Sequence, residues 1–309
     1  MKIQKYLDNP LELLFTVGIR GGFRFLGDEA YIRMMYRCRF RKKINLSNPE
    51  TFNEKLQWMK LNDRNPLYTK LVDKYEVKKY VADLIGKEYV IPTLGVWESF
   101  DDINFMTLPN QFVLKCTHDS GGLIICKDKT TFDVNAAKKK IKSSMKRNYY
   151  WAGREWPYKD VKPRIIAEIY MNEDGHTSLT DFKFFCFNNV PQFLYISEGL
   201  DNHSTAAISF FDFNGKRLPF AREDYAPFLK DYSLPGNFSE MLDIARKCAG
   251  NINNAFSRID LYSIKGKVYF SEITFSPCGG FIPFMPIEWD YKVGKLLNLD
   301  NKQQPFVPA

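Results

Sequence analysis

Residues 257–280 have the sequence SRIDLYSIKGKVYFSEITFSPCGG, and the interpretation of the whole chain depends on them. Polar and apolar residues alternate over residues 258–264 and again over residues 268–274. Between the two runs, Lys265-Gly266-Lys267 is typical of a tight turn. The pattern predicts a β-hairpin near the end of the chain.

Strand residues two positions apart share one face of a sheet, so Arg258 and Asp260 point the same way. Pairing across the short turn is expected to place Asp260 near Glu272, with Thr274 on the same face. Two carboxylates and a hydroxyl that converge in this way suit Mg²⁺, which binds oxygen ligands and leaves positions for phosphates. The alternative is an ordinary exposed ion pair between Arg258 and Asp260, which contributes little energy.

The composition is that of a globular protein with a basic surface. The chain has 309 residues and a net charge of +8, and its basic residues are concentrated at 37–43 and 136–147. Such charge suits nucleic acid, an anionic membrane surface or a polyphosphate ligand. No zinc-finger, helix-turn-helix or aromatic-basic RNA signature accompanies it, so we expect no dedicated nucleic-acid binding.

The cysteines and the apolar segments bear on the location of the protein. The six cysteines form no CxxC pair, and three of them, Cys116, Cys126 and Cys186, lie in apolar, strand-like runs. A reducing cytoplasm is therefore expected. No run of about 18 apolar residues exists, so no transmembrane segment is expected. Residues 11–26, which include Arg20 and Arg24, fit either a packed helix or a helix lying on a membrane surface.

The first half of the chain is predicted to be mainly helical, with helices at residues 12–25, 28–41, 52–61 and 67–85. A strand at residues 111–116, the polar loop THDSGG at 117–122 and a return strand at 123–126 follow. Glycines in such a loop let backbone N–H groups approach phosphate oxygens. Lys115, inside the first strand, is expected to meet an anion, although it also fits a lysine that protects a sheet edge.

The second half is predicted to contain more strands, at residues 164–171, 179–187, 192–198 and 206–213. Helices are predicted at residues 133–147, 239–256 and 291–297. Because hairpins join most of the strands, the fold class is expected to be α+β rather than a parallel α/β sheet. The aromatic segment 149–158 fits either a substrate lid or simple packing.

Taken in order, these features resemble an ATP-grasp ligase. They are the strand that ends in lysine, the Gly-rich flap, AEIY at 167–170, DFK at 181–183 and the RxD…ExT hairpin followed by Gly-Gly. TFNEKLQWMKLNDRNPLYTKLVDKYEVKKYV at 51–81 resembles the TupA-like branch, which occurs in teichuronopeptide and capsular polysaccharide biosynthesis. The resemblance covers roughly residues 30–290. It implies an N-terminal helical region (1–67), two α+β lobes that grip ATP (68–167 and 168–290) and a C-terminal helix and tail (291–309).

The resemblance also implies roles for individual residues. The ATP-binding residues would be Lys74, Lys115, the flap residues His118, Ser120, Gly121 and Gly122, the hinge residues Glu168, Ile169 and Tyr170, and Lys183. Glu173 or Asp174 would contact the ribose. Arg258 and Lys183 would be catalytic. Asp260 and Glu272 would bind Mg²⁺, with Thr274 where many ATP-grasp enzymes have Asn, which leaves open whether one or two ions bind.

Two of these positions have plainer alternatives. His118 fits a flap or capping residue better than a catalytic base. Lys183 also fits a simple same-face ion pair with Asp181.

The implied activity is that of an ATP- and Mg²⁺-dependent carboxylate–amine ligase, working through an acyl phosphate on small or sugar-linked substrates. A carboxylate–thiol ligase is a variant of it. The alternative is a nucleotide-sugar glycosyltransferase of the same pathway, although no clear DxD motif is present. A regulator that only binds nucleotide is disfavoured by the complete set of charged residues. The expected location is the cytoplasm or the inner face of the membrane, and a homodimer is common among proteins of this fold.

Overall fold

A computed structural model describes residues 9–173, 179–199, 206–229 and 231–299 of the chain. These residues form helices and antiparallel sheets, which is the α+β class that the sequence predicts. No helix in the described ranges is both long and apolar enough to cross a membrane.

The N-terminal region contains α1 (Pro10–Ile19), α2 (Asp28–Phe40) and α3 (Phe52–Asn62). Helix α1 ends earlier than predicted, because Gly21 takes a left-handed conformation with φ of +81°. Helix α3 begins with a capping box. The Thr51 hydroxyl accepts a hydrogen bond from the Glu54 N–H at 3.1 Å, and the Glu54 carboxylate accepts one from the Thr51 N–H at 3.1 Å.

The single helix predicted over residues 67–85 is wrong. The chain forms α4 (Leu67–Val72) and α5 (Glu76–Ile85), separated by three residues. Asp73 caps α5 by accepting a hydrogen bond from the Tyr75 N–H at 2.8 Å, and the Lys74 N–H donates to the Thr117 carbonyl at 3.1 Å. The break therefore holds Lys74 against the loop between the next two strands.

The smaller sheet contains β1 (Thr93–Trp97), β2 (Phe112–Cys116), β3 (Leu123–Cys126) and β4 (Ile165–Ile169), in the order β1-β4-β2-β3. Helix α6 (Val134–Met145) packs through Ala137 and Ile141 on the apolar face of this sheet, where Phe112 and Leu114 are completely buried. The short helix α7 (Tyr150–Gly153) follows α6 within the aromatic segment.

The larger sheet has the order β10-β9-β5-β6-β7. Its strands are β5 (Asp181–Phe187), β6 (Val190–Glu198), β7 (Ala207–Phe211), β9 (Phe256–Ile264) and β10 (Lys267–Thr274). Two short strands, β8 (Ala221–Arg222) and β11 (Phe284–Met285), pair separately, and α8 (Phe238–Ile252) and α9 (Glu288–Leu296) complete the described fold. Helix α8 ends before the predicted residue 256, because Asn253 turns left-handed with φ of +52° and Phe256 begins β9.

The two faces of the larger sheet differ in chemistry. One face packs its apolar residues, such as Phe184 and Ile259, against α8. The other face carries a phenylalanine cluster, in which Phe52 of α3 meets Phe185 and Phe256. Asp181 and Lys183 lie on this second face beside the cluster, because they alternate with the apolar positions of β5. This face of the sheet is therefore polar around Asp181 and Lys183 and apolar in the adjoining phenylalanine cluster.

The predicted domain boundaries remain predictions. The boundary at 67/68 falls at the start of α4, that at 167/168 falls inside β4, and that at 290/291 falls inside α9.

Candidate active site

The β9–β10 hairpin forms as the sequence predicts. Asp260 pairs directly with Glu272, and Arg258 pairs with Thr274. The turn contains only Lys265 and Gly266, whose φ angles of +51° and +75° are those of a two-residue hairpin turn. Lys267 is already the first residue of β10.

Asp260 lies at the centre of a buried charge cluster and is 0% exposed. The Arg258 guanidinium donates to both of its carboxylate oxygens, at 2.7 and 2.6 Å. From the neighbouring strand β5, the Lys183 ammonium donates to Asp260 Oδ2 at 2.8 Å and to Asp181 Oδ1 at 3.0 Å. The predicted pair between Lys183 and Asp181 is therefore present, but it belongs to this larger cluster.

Glu272 is the accessible carboxylate of the cluster, with 36% of its side chain exposed. Arg258 Nη2 donates to Glu272 Oε1 at 3.0 Å and to Thr274 Oγ1 at 3.0 Å. Burial alone would raise the pKa of Glu272, but the positive charges of Lys183, Lys74 and Arg258 outweigh it and lower the pKa to about 2. Glu272 is therefore ionised at any physiological pH.

Lys183 and Arg258, the two cations of the cluster, also stay charged. Burial favours their neutral forms, but the carboxylates of Asp181 and Asp260 raise the pKa of Lys183, and Asp260 raises that of Arg258. The Tyr195 ring lies 5.9 Å from the Lys183 ammonium and 5.6 Å from the Arg258 guanidinium. The sequence analysis missed Tyr195, although its place opposite Lys183 follows once β5 and β6 are paired.

The three predicted metal ligands, Asp260, Glu272 and Thr274, come together, and their hard oxygen donors fit Mg²⁺ in chemistry. Asp260 Oδ2 accepts two hydrogen bonds and Oδ1 accepts one, whereas Glu272 is open to solvent. Across the described ranges, no group of three or more His, Cys, Asp and Glu side chains is placed to hold a metal. Glu272 and Thr274 thus offer oxygen ligands to an ion that phosphates would also bind, and Asp260 could join them by exchanging a contact with Arg258 or Lys183.

The predicted flap is the loop between β2 and β3. The Lys74 ammonium donates to the Asp119 carbonyl of this loop at 2.6 Å, and Ser120 and Gly121 are exposed at its tip. Gly121 has φ of +94°, and a Cβ at Gly122 would lie 2.5 Å from an Asp119 carboxylate oxygen. Both glycines are therefore needed for the shape of the loop.

The His118 side chain does not reach the tip of this loop. It is 2% exposed, and its Nε2 lies 3.3 Å from the Ser144 carbonyl of α6. His118 thus packs the base of the loop, which agrees with its alternative interpretation as a flap or capping residue. A contact with phosphate could come only from its backbone.

Lys115 and Glu168 form an ion pair in the interior of the smaller sheet. Lys115 Nζ lies 2.5 Å from Glu168 Oε2, and Lys78 of α5 also pairs with Glu168, which is 4% exposed. Strand β2 lies between β4 and β3, so the edge-strand interpretation of Lys115 is wrong. The sequence analysis missed Lys78, which carries no motif and reaches the site only through the packing of α5.

A comparison with known families can now be set beside this geometry. The sequence matches the family described as TupA-like ATPgrasp over residues 54–298. The chain belongs to this family. Membership confirms the predicted ATP-grasp fold and branch, and it supports the prediction that the chain is an ATP-grasp ligase. No curated protein matches the chain.

Solved structures that resemble this ATP-grasp chain include three ligases or synthetases. D-Alanine-D-alanine ligase from Helicobacter pylori shares 18% identity and a TM-score of 0.46, over 82% of this chain and 68% of that one. D-Alanine-D-alanine ligase from Bacillus anthracis, complexed with ATP, shares 13% sequence identity with a TM-score of 0.38. The match covers 66% of this chain and 55% of that one. The ADP complex of PurK, N5-carboxyaminoimidazole ribonucleotide synthetase, shares 11% sequence identity with a TM-score of 0.42. The match covers 72% of this chain and 50% of that one. The chain thus spans about half to two thirds of the length of these proteins.

The predicted hinge of this TupA-like chain lies at the end of β4, which contains Glu168 and Ile169, and Tyr170 follows it. The Ile169 N–H donates to the Pro92 carbonyl at 3.2 Å, and Tyr170 is half-buried. The Glu173 carboxylate accepts a hydrogen bond from the Lys265 N–H at 2.9 Å, in the turn of the β9–β10 hairpin. Asp174 lies outside the described residues, so the choice of ribose partner stays a prediction.

The aromatic segment 149–158 both packs and borders the site of the ATP-grasp chain. The Tyr149 and Tyr158 rings pack edge to face at 4.9 Å. The Tyr149 side chain also lies beside Ser120 of the flap. The packing interpretation and the lid interpretation are therefore compatible.

The Gly-Gly segment after β10 is held by α3. Cys278, Gly279 and Gly280 have successive φ angles of +52°, +63° and +69°. Gln57 donates to the carbonyls of Gly279 and Gly280 at 3.0 and 2.7 Å, and Lys60 donates to that of Gly279 at 2.8 Å. These contacts fix a strained turn beside the charge cluster of this TupA-like chain.

Proposed function

We propose that the chain is an ATP- and Mg²⁺-dependent carboxylate–amine ligase that forms an amide through an acyl phosphate. The observation that carries this proposal is the convergence of Arg258, Lys183, Asp260 and Glu272 on one sheet face of an ATP-grasp protein. Phosphoryl transfer needs little covalent help from a protein, but it needs charge stabilisation and alignment. Arg258 and Lys183, which are buried and stay charged, would supply the charge stabilisation.

The reaction would proceed in two steps. A substrate carboxylate oxygen attacks the γ-phosphorus of ATP, the bond from that phosphorus to the bridging oxygen breaks, and ADP leaves. An amine nitrogen then attacks the acyl carbon, phosphate leaves with the carbon–oxygen bonding pair, and the nitrogen passes one proton to the departing phosphate. Arg258 would stabilise the negative charge on the acyl oxygen, and Lys183 that on the transferred phosphoryl group.

Mg²⁺, when bound, would neutralise phosphate charge and orient the γ-phosphate. Asp260, Glu272 and Thr274 would hold it. Lys74 and the flap residues Ser120, Gly121 and Gly122 would cover the phosphates, which shields a reactive acyl phosphate from water.

We further propose that the nucleotide lies between the two sheets. Lys115 would contact its phosphates. Glu168, Ile169 and Tyr170 would contact the adenine. Glu173 or Asp174 would contact the ribose. The ion pair of Lys115 with Glu168 supports this arrangement, because it holds the lysine charge at the wall of the smaller sheet.

The cellular setting that we propose is the synthesis of a surface or capsular polysaccharide, with small or sugar-linked carboxylates and amines as substrates. The resemblance to the TupA-like branch supports it. A cytoplasmic location is supported by the free cysteines, five of which are buried.

Contact with the inner face of the membrane is a separate proposal, supported by α1. Leu13, Leu14 and Val17 are 43%, 39% and 38% exposed on this helix, and Phe25 beyond it is 82% exposed. Arg20 and Arg24 are exposed in the same region. An apolar face flanked by arginines suits an anionic bilayer surface.

The test of the ligase proposal is nucleotide release by purified protein, with ATP, Mg²⁺ and a mixture of amino acids and uronic acids. Glu272→Gln is expected to lower substrate-dependent release of ADP and phosphate at least about a hundredfold, because it removes the accessible metal-binding charge. Glu288→Gln, at an exposed position of α9, is the matched control and should keep full activity. Transfer from a UDP- or GDP-sugar without ATP turnover would overturn the proposal.

A further inference from the structure

A pocket of about 500 Å³ lies beside the Gly-Gly segment and has no role in the function proposed above. Its apolar wall includes Phe15 and Ile19 of α1 and Phe281 after the Gly-Gly segment. Tyr149, whose side chain lies beside Ser120 of the flap, also lines the pocket. Helix α1 precedes the residues that match the family, whereas Phe281 lies among them.

Glu155 lies in the wall of this pocket and is 95% buried, with 5% of the residue exposed. In the part of the chain that the structure describes, its carboxylate has no hydrogen-bond or ion-pair partner. The nearby Lys60 ammonium donates instead to the carbonyls of Gly153 and Gly279, at 2.6 and 2.8 Å. A buried carboxylate without a donor is costly, so a ligand that brings a positive donor would be favoured there.

The pocket lies close to the reaction centre, because Cys278 in its wall also lines the cavity that contains Tyr195. The charges of Arg258 and Glu272 both act on Glu155, and that of Glu272 acts on Tyr149. Burial raises the pKa of Glu155 while the charges of Lys60 and Arg258 oppose the rise, so the carboxyl group can both hold and release a proton near neutral pH.

We propose that this pocket binds the amine substrate of the ligase and that the Glu155 carboxylate receives its ammonium group. The inference rests on the proposed function and adds to it the site and class of the acceptor. The acceptor would be a primary amine with a hydrocarbon body, which would lie against Phe15, Ile19 and Phe281.

Glu155 would also take part in the amide-forming step. The ammonium transfers one proton to the Glu155 carboxylate, and the free amine forms the carbon–nitrogen bond. The bond from the acyl carbon to the phosphate oxygen breaks, and phosphate leaves with that electron pair. The second nitrogen proton goes to the departing phosphate, so protons and charge balance.

Glu288 of α9 is an exposed acid outside the lining of this pocket and provides the control. Glu288→Gln makes the same chemical change as Glu155→Gln, and it should leave amine binding unchanged.

The experiment compares butylammonium with its neutral isostere butan-1-ol, each titrated against the full-length protein and followed by saturation-transfer NMR. Wild type should bind butylammonium about tenfold more tightly than butanol, the ratio expected when an ammonium finds a buried carboxylate. Glu155→Gln should abolish this preference while keeping butanol binding and the circular-dichroism spectrum. Equal binding of the two probes to wild type, or a preference that survives in Glu155→Gln, would overturn the proposal.

A second variant covers the case in which Glu155→Gln does not fold. Ile19→Trp adds bulk at a residue that is 42% exposed, so the fold should tolerate it while the pocket is filled. It should block both probes, and unchanged butylammonium binding would show that the amine lies elsewhere. Neither measurement uses ATP. The amine-site proposal can therefore be refuted while ATP turnover is intact, and the ligase proposal can be refuted while amine binding is intact.

Discussion

Glu168 shows how one side chain can be needed for two lysines. It is almost completely buried between Lys78 and Lys115. We expect Glu168→Gln to lower the free energy of unfolding by about 3 kcal/mol, because it leaves two ammonium groups without a counter-charge in a largely dry site. Urea unfolding of the purified variant measures this change.

The control for that variant is Glu98→Gln. Glu98 pairs with Lys162, but their side chains are 68% and 59% exposed. Water screens such a pair, so its loss should change the free energy of unfolding by no more than about 0.5 kcal/mol. Equal losses in the two variants would mean that Glu168 does not neutralise the buried lysines.

At the same scale, the sequence predicts some site residues well and misses others. Asp260 and Glu272 could be paired because a two-residue period and a short turn leave few registers. Glu155, Lys60 and Tyr195 meet their neighbours only through tertiary packing, which no local pattern encodes. His118 was placed in the correct loop, but the direction of its side chain depends on α6.

At the scale of the element, the packing of α9 on α3 includes a buried acid. Asp290 is 1% exposed and accepts a hydrogen bond from Asn53 Nδ2 at 2.7 Å. Burial raises its pKa from 3.8 to about 6. The folded state therefore holds this proton more tightly than the unfolded state, and the stability contributed below pH 3.8 is lost as pH rises through 6.

Asp290→Asn should remove this dependence, because an amide keeps the acceptor and carries no charge. Relative to wild type, the variant should gain roughly 1.4 kcal/mol in free energy of unfolding between about pH 5 and pH 7.5. Urea unfolding at the two pH values measures the gain. Asp243→Asn, at an exposed residue of α8, is the control, and a pH-independent difference for Asp290→Asn would contradict the expectation.

The extents of elements were predicted where local signals are strong. The capping box at Thr51 and Glu54 marks the start of α3 in the sequence. The break between α4 and α5 carries a weaker mark, the single cap residue Asp73, and helical spacing continues across it. Its cause is a contact with a distant part of the chain, the hydrogen bond from the Lys74 N–H to the Thr117 carbonyl.

At the scale of the whole molecule, the exposed face of α1 makes a prediction about membranes. The protein should sediment with vesicles of equal parts phosphatidylglycerol and phosphatidylcholine, and binding should weaken as salt increases. The triple variant Leu13→Gln, Leu14→Gln, Val17→Thr should bind at least about tenfold more weakly, because it removes the apolar contact.

Leu229→Gln is the control for this surface, since Leu229 is 94% exposed outside α1. It should bind vesicles like wild type. If wild type stays in the supernatant, α1 is not a membrane contact. The same conclusion follows if Leu229→Gln loses as much vesicle binding as the triple variant of α1.

The contact between the Tyr149 and Ser120 side chains lies between two places where different ligands are proposed to bind. Ser120 lies at the tip of the flap, and Tyr149 lines the pocket beside Glu155. An occupant of the pocket that favours one position of Tyr149 would therefore also favour one position of the flap, and the two sites would be coupled. Thermodynamic reciprocity then requires that any factor by which the amine tightens nucleotide binding is the factor by which nucleotide tightens amine binding.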